Sequence, residues 1–136
     1  MRKIVVSQLD QARLQEQIKR IEFQQGHISQ EVAKLQEALE QAQIVETHLI
    51  PDDVVTLNTV VVVKFLSTGK EFKFRLVYPK EANAKQDRVS VFSPIGVALL
   101  GYQRGDVIQW NAPGGKINIQ VKDIIFQPER AEIFQL

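Results

Sequence analysis

The sequence contains no cysteine among its 136 residues, and its charges nearly cancel, with 17 Lys plus Arg against 16 Asp plus Glu. The absence of cysteine excludes a disulfide framework, thiol catalysis and thiolate metal sites. The formal net charge of +1 argues against a protein whose main task is to coat nucleic acid, because such proteins carry a basic surplus.

Long apolar runs are also missing. The run near the amino terminus, Ile4 to Val6, is too short for the core of a signal peptide. No other run approaches the roughly 20 residues that a membrane span needs. We therefore expect a cytoplasmic protein that does not associate with a membrane.

Proline and glycine are scarce in the first third of the chain. No proline precedes Pro51, and Gly26 is the only glycine before Gly69. Glutamine has the opposite distribution and is concentrated in the first third. Since proline and glycine interrupt helices and form turns, the chain divides into a helical segment, residues 1–48, and a turn-rich domain, residues 49–136.

The front segment has the pattern of an antiparallel helical hairpin. Ser7 and Ser29 are suited to cap two helices of some 18 residues each, and Gly26 suits the left-handed end of the first. The apolar positions of the second helix have the spacing of a short heptad seam: Ile28, Val32, Leu35, Leu39 and Ala42. The first helix has a matching face: Leu14, Ile18 and Ile21.

The tip of this hairpin carries the candidate contact residues Phe23, His27 and Ile28. An exposed aromatic side chain suits contact with a partner, although packing within the loop would explain Phe23 equally well. A plain structural hairpin is the alternative to a prong that inserts into a partner.

The remainder predicts a β-rich domain with one short helix beginning at Pro94 and ending at Gly101, because proline is favoured at the first helical position. Alternation and β-branched residues predict strands over residues 54–66, 71–78, 88–92, 107–110 and 116–127. The predicted fold class is α+β, a helical hairpin followed by an antiparallel sheet wrapped on one short helix.

The sequence holds no recognisable catalytic or metal-binding constellation. His27 and His48 have no companions at ligand spacing, and Ser93 is followed by Pro94 instead of the glycine of a nucleophile elbow. Pro113-Gly114-Gly115 lacks the spacing of a phosphate loop. We therefore predict a binding protein without catalytic residues, metal or cofactor.

Several stretches resemble the C-terminal domain of the Gre-type transcription elongation factors, a domain with an FKBP-like fold. They are Val91-Phe92-Ser93-Pro94-Ile95-Gly96, Ala98-Leu99-Leu100-Gly101, Gly105-Asp106 and Pro113-Gly114-Gly115. Three others are similar to the branch called regulator of nucleoside diphosphate kinase (Rnk): residues 51–58, 76–79 and 126–129. The resemblance is specific from about residue 49 to 130 and only architectural in the hairpin.

The resemblance implies RNA polymerase as the partner, with nucleic acid reached only indirectly. Gre-type factors act in the secondary channel and use acidic residues at the hairpin tip to help hold a second magnesium ion. Here the tip, residues 24–31, has Glu31 as its one carboxylate, and the arm is short. We therefore expect no stimulation of transcript cleavage.

The resemblance also implies where polymerase is bound. In the Gre family the Ser-Pro loop at the start of the short helix helps grip the rim of the channel, and Ser93, Pro94 and Ile95 match it. The chain would then occupy the channel entrance and compete with longer factors. From the residues alone, Pro94 starting a helix and Ile95 packing in the core is an equal alternative.

Two other functions stay open at this point. An FKBP-like domain suggests a prolyl isomerase, with an aromatic pocket drawn from Tyr78, Phe92, Tyr102, Trp110 and Phe126. The heptad seam alternatively suggests a homodimeric scaffold unconnected with transcription. We favour a monomer over a dimer.

Overall fold

The computed structural model describes residues 4–112 and 114–131, without the side chain of Asn111. Pro113, the first residue of the stretch Pro113-Gly114-Gly115 used in the resemblance, lies outside the described residues. The helices are α1 (Gln8–Gln25), α2 (Gln30–Gln41) and α3 (Pro94–Leu99). The strands are β1 (Val5–Ser7), β2 (Gln43–Val45), β3 (Val60–Phe65), β4 (Glu71–Val77), β5 (Arg88–Ser90), β6 (Val107–Ala112) and β7 (Gly115–Phe126).

The predicted helical hairpin is confirmed, together with the residues that end its helices. The Ser7 hydroxyl accepts a hydrogen bond from the Asp10 amide at 3.1 Å, and the Ser29 hydroxyl accepts one from the Val32 amide at 3.2 Å. Gly26 ends α1 with φ 76°. The second arm has 12 residues, fewer than predicted. Neither of these helices, nor α3, is long and apolar enough to cross a membrane.

The heptad seam is used inside the chain. Val32, Leu35 and Leu39 of α2 are buried in one apolar cluster with Leu14 and Ile18 of α1. Because these side chains are already covered, they are not available as the interface of a homodimer.

Strands β1 and β2 form a parallel pair at the base of the hairpin, which the sequence analysis does not predict. Each has three residues, too few to carry a readable periodicity. The pair is joined to the rest of the protein by the amide of Val5, which donates to the carbonyl of Gly101 at 3.2 Å. One apolar core runs from the hairpin into the sheet and α3.

The main sheet has five strands in the order β5-β4-β3-β7-β6. All neighbours are antiparallel except β4 and β5. The inner face holds the buried side chains of Val61, Val63, Leu76 and Ile119, and α3 packs on it beside β6. The predicted α+β class, with a hairpin before a mostly antiparallel sheet, is confirmed.

The prediction of a strand from Val54 to Leu66 is wrong in its first half, because β3 begins only at Val60. Asn58 has φ 67°, and the Thr59 hydroxyl accepts from the Thr56 amide at 3.0 Å, so this segment is a turn. Val54 and Val55 are fully buried there. These residues are apolar because they are buried, and their β-branched side chains made the segment resemble a strand.

Candidate functional site

The start of α3 is built from local contacts of Ser93. Its hydroxyl donates to the Ser90 carbonyl at 2.6 Å and accepts from the Gly96 amide at 3.2 Å. Pro94 occupies the first helical turn, where it needs no amide hydrogen. Ser93 is thus explained as a helix cap, and its side chain is engaged within the chain.

Pro94 and Ile95 line two different depressions beside this helix start. Pro94 lines a cleft that also contains Trp110 of β6. Ile95 lines a shallower depression with Phe65 and Phe72 of β3 and β4. Adjacent residues of a helix point in directions about 100° apart, so the two side chains present apolar surface to both sides.

Three aromatic rings continue this apolar surface at the end of the sheet. The ring centroid of Phe65 lies 5.0 Å from that of Phe72 and 6.1 Å from that of Trp110, which is the range of favourable aromatic pairs. Phe72 is 49% exposed. We call Pro94, Ile95 and these three aromatic residues the α3 surface.

The sequence analysis did not identify Phe65 and Phe72 as parts of this site. Strand alternation places Phe72 on one sheet face with Phe74 and Leu76. The β3–β4 register agrees with this, because Val63 lies opposite Phe72 and Val61 opposite Phe74. One signal in the sequence could have indicated them. Phe65 and Phe72 flank the polar turn at residues 67–70, where the sheet ends and a ring on its inner face is left uncovered.

The hairpin tip presents Phe23 and His27 to solvent, and the Phe23 side chain is 92% exposed. His27 Nδ1 lies 3.0 Å from the Gln25 carbonyl. Ile28 is half-buried, because one side of its side chain packs against the apolar core. Packing within the loop therefore does not account for Phe23.

The potential metal ligands do not cluster. Within residues 4–112 and 114–131, no three His, Asp or Glu side chains come together in a way that could hold a metal ion. His27 is at the tip and His48 near the hairpin base, where its Nε2 lies 3.5 Å from a Glu46 carboxylate oxygen with both side chains exposed.

Of the five aromatic residues suggested for an isomerase pocket, only two line one cleft in the part of the chain that the structure describes. Tyr102 and Trp110 line the same cleft. Phe126 lies elsewhere, with the Arg75 guanidinium 5.2 Å from its ring centroid. Tyr78 is buried and close enough to Asp10 and Arg13 to feel their charges. The arrangement does not form the aromatic pocket that the isomerase hypothesis requires.

A buried polar cluster joins the hairpin to the sheet domain. The Asp10 carboxylate in the first turn of α1 accepts from the Leu57 amide at 3.1 Å. Glu129 accepts from the Thr56 hydroxyl at 2.8 Å. We call Asp10, Thr56, Gln127 and Glu129 the hairpin-base cluster.

Burial, with a smaller effect of the nearby Glu129 carboxylate, raises the pKa of Asp10 from 3.8 to about 7, against the opposing effects of the Leu57 amide and Arg13. Burial also raises the pKa of Glu129, while its hydrogen bond from Thr56 lowers it. Burial raises the pKa of Tyr78 as well. Two carboxyl groups in one poorly hydrated region thus favour their neutral forms.

Gln127 connects the two ends of the sheet domain within this cluster. Its fully buried side-chain amide donates to the carbonyls of Pro51 and Val54 at 2.8 and 2.7 Å, and its oxygen accepts from the Arg130 amide at 3.1 Å. The stretches 51–58 and 126–129, which the sequence analysis used for the Rnk resemblance, are therefore neighbours in the fold.

Replacing Gln127 by leucine is expected to lower the free energy of unfolding by about 2 kcal/mol, because it leaves two carbonyls and one amide without their partners. Urea unfolding of the two proteins at one pH measures the difference. Leucine has a similar volume, so a loss near zero would mean that the hydrogen bonds of Gln127 are replaced by water.

The family model described as transcription elongation factor, GreA/GreB, C-terminal, matches residues 50–126. The chain is 33% identical over 104 residues to GreA of Syntrophus aciditrophicus (strain SB), covering 76% of this chain and 65% of that protein. It is 39% identical over 94 residues to the regulator of nucleoside diphosphate kinase of Escherichia coli (strain K12), covering 68% and 69%. The match spans less than two thirds of the length of the GreA relatives.

The solved structure of a prokaryotic transcription elongation factor GreA/GreB from Nitrosomonas europaea superimposes with a TM-score of 0.75 at 31% identity. The superposition covers 93% of this chain and all of that chain, so the hairpin is included with the sheet domain. Sequence and structure agree with the resemblance found from the motifs: the chain belongs to the GreA/GreB C-terminal family of transcription elongation factors.

Proposed function

We propose that this chain is a cytoplasmic transcription regulator that binds RNA polymerase at the entrance of its secondary channel, through the α3 surface. The observation that carries the proposal is the exposed apolar surface around Pro94 and Ile95, next to the half-exposed Phe72. A contiguous apolar surface of this kind is typical of a protein–protein contact. Family membership supports polymerase as the partner.

The proposed docking contact uses Pro94 and Ile95 directly and Ser93 indirectly. The Ser93 hydroxyl is occupied by its bonds to Ser90 and Gly96, so its role is to hold the helix start in position. Phe23 and His27 at the hairpin tip are proposed as a second contact, because both are exposed. Ile28 supports the tip from its half-buried position.

We further propose that the chain does not stimulate transcript cleavage. Residues 23–30 at the tip include no Asp or Glu, and Glu31 lies in the first turn of α2, where it complements the helix dipole. A second magnesium ion at the polymerase active site needs carboxylate oxygens. The 12 residues of α2 are about 18 Å long, which also limits the reach of the tip.

The double substitution Pro94→Asp with Ile95→Asp is expected to weaken binding to RNA polymerase about tenfold or more, because it places two charges in a desolvated contact. Binding is measured by competition with a labelled GreA on purified polymerase. Ile125→Asp is the matched control, since Ile125 is 53% exposed on another face of the sheet. Phe23→Ala in the same assay reports on the tip.

Equal competition by the wild type, the double variant and the Ile125→Asp protein would rule out the α3 surface as the contact. An absence of competition by the wild type would contradict the proposed partner site. Cleavage is tested separately on backtracked transcription complexes, where the RNA should shorten no faster than with polymerase alone. Thermal unfolding of each variant verifies that it is folded.

A further inference from the structure

The two edges of the main sheet differ. At one edge, β5 has three residues including Arg88, and the amides of Asn83 and Arg88 each donate to the other's carbonyl at 3.0 Å, which covers it. At the other edge, β6 has six residues and no charged side chain. In the part of the chain that the structure describes, no strand pairs with the outer side of β6.

The hydrogen-bond phase of β6 identifies the groups on this free edge. The Val121 amide donates to the Asp106 carbonyl at 3.0 Å, and bonded pairs alternate along an antiparallel ladder. Ile108, opposite Ile119, is therefore bonded to β7, whereas the backbone groups of Val107 and Gln109 point outward. Asn118, opposite Gln109 on β7, supports this assignment. Its carbonyl points away from β6 and accepts from the Leu66 amide on the other side of β7.

A cleft of about 600 Å³ runs along this edge between β6 and α2. Its apolar lining includes Val97, Tyr102, Ile108 and Trp110. Gln109 also lines the cleft. In a strand its side chain points to the opposite face from those of Ile108 and Trp110. The cleft therefore reaches around the edge of the strand to the outward backbone groups.

The opposite wall of the cleft is α2, with Glu31, Lys34 and Glu37 along it. The space between this wall and β6 is open to an extended chain. Because the wall carries two glutamates and one lysine, its net negative charge favours a basic residue in the bound segment. An extended segment in this position would bond its backbone to Val107 and Gln109 and direct alternate side chains onto the apolar lining.

We propose that the β6 edge and its cleft bind an extended, basic peptide segment of a partner protein, which adds to the sheet as a sixth strand. Strand addition takes its affinity from main-chain hydrogen bonds and its specificity from pockets for alternate side chains. The cleft shares Pro94 and Trp110 with the α3 surface. The proposal nevertheless does not rest on polymerase binding, because its hydrogen bonds use the backbone edge of β6, which the α3 surface does not include.

Trp110 is the only tryptophan of the chain and lines the cleft, so its fluorescence reports occupancy directly. The probe is a capped peptide with the sequence of residues 116–121, which is the segment that pairs with the inner edge of β6 and carries one lysine. We expect a saturable fluorescence change. The same peptide with alternate backbone amides methylated should bind at least about tenfold more weakly, because it lacks the hydrogens that would be donated to the carbonyls of Val107 and Gln109.

The chain itself offers a matched pair of variants at Gln109. Gln109→Pro removes an outward amide hydrogen without removing a bond to β7, and proline is tolerated at such edge positions. Gln109→Thr changes the side chain and keeps the amide. The proline variant should lose peptide binding, while the threonine variant keeps it within about twofold. Circular dichroism confirms that both are folded.

Three results would overturn the proposal. Equal binding of the methylated and unmethylated peptides would mean that the cleft takes apolar groups without strand pairing. Concentration-dependent dimers in sedimentation that Gln109→Pro dissolves would identify a second copy of this chain as the occupant. No fluorescence change with either peptide, at concentrations up to solubility, would exclude strand addition by this class of segment.

Discussion

Asp10→Asn is expected to make the protein more stable at pH 8, although it removes a hydrogen-bonded carboxylate. Asp10 is 4% exposed, and its pKa in the folded protein is about 7. At pH 8 the folded state must therefore hold a poorly hydrated charge near Glu129. Asparagine keeps an oxygen that accepts from the Leu57 amide and carries no charge, so we expect a gain of about 3 kcal/mol.

The sign follows from proton linkage. Unfolded Asp10 releases its proton near pH 3.8, whereas the folded protein keeps it up to about pH 7. Between these values the folded state binds more protons, so the contribution of Asp10 to stability is greatest below pH 4, falls as pH rises through this window, and is constant above it. The difference between these two pKa values of Asp10 corresponds to about 4 kcal/mol of stability. Glu129, whose pKa is also raised by burial, changes stability in the same direction.

Urea unfolding of wild type and Asp10→Asn between pH 5 and 8 measures this effect, with exposed Asp52→Asn as the control. The two stability curves should diverge as pH rises, and the control should follow the wild type. If Asp10→Asn is instead destabilised at pH 8, then attraction to Arg13 stabilises the Asp10 carboxylate by more than its burial costs.

Gly96→Ala is expected to lower the free energy of unfolding by about 3 kcal/mol, because the backbone of β5 occupies the space that a methyl group needs. A Cβ atom at position 96 would overlap the Ser90 carbonyl oxygen and lie 2.9 Å from Val91 Cα. Both are backbone atoms, which cannot turn aside as a side chain can. The variant must move the start of α3, and polymerase binding should weaken with it.

Gly114→Ala is the control, since no atom lies within 4 Å of a Cβ at that position. It should change stability by no more than about 0.5 kcal/mol. Thermal and urea unfolding of the two variants decide the point. A Gly96→Ala protein as stable as the control would mean that α3 packs farther from β5 than the structure has it.

Elements whose signals are local could be predicted from the sequence. Ser7, Ser29 and Gly26 mark helix ends through contacts within four residues, and Pro94 begins α3 for the same reason. The α3 surface was only half predictable, because Phe65 and Phe72 reach it through the register of β3 against β4. Sequence spacing alone does not fix that register.

The hairpin-base cluster was not predictable at all. Asp10 meets the Leu57 amide 47 residues away, and Gln127 bonds to Pro51 across 76 residues. The stretches around Pro51 and Gln127 are recognisable as motifs in the sequence, but nothing in their residues indicates that they touch. Asp10 itself reads as an ordinary acidic residue in the first turn of a helix, and only tertiary burial makes its carboxyl group unusual.

The hairpin is bonded to the rest of the protein at its base, far from its tip. The bonds from Val5 to Gly101 and from Leu57 to Asp10 tie the base to the end of α3 and to the turn before β3. With α1 about 27 Å long, a rotation of about 10° at these bonds displaces Phe23 at the tip by about 5 Å. A small change in how the base is held would therefore move the tip farther than it moves the base.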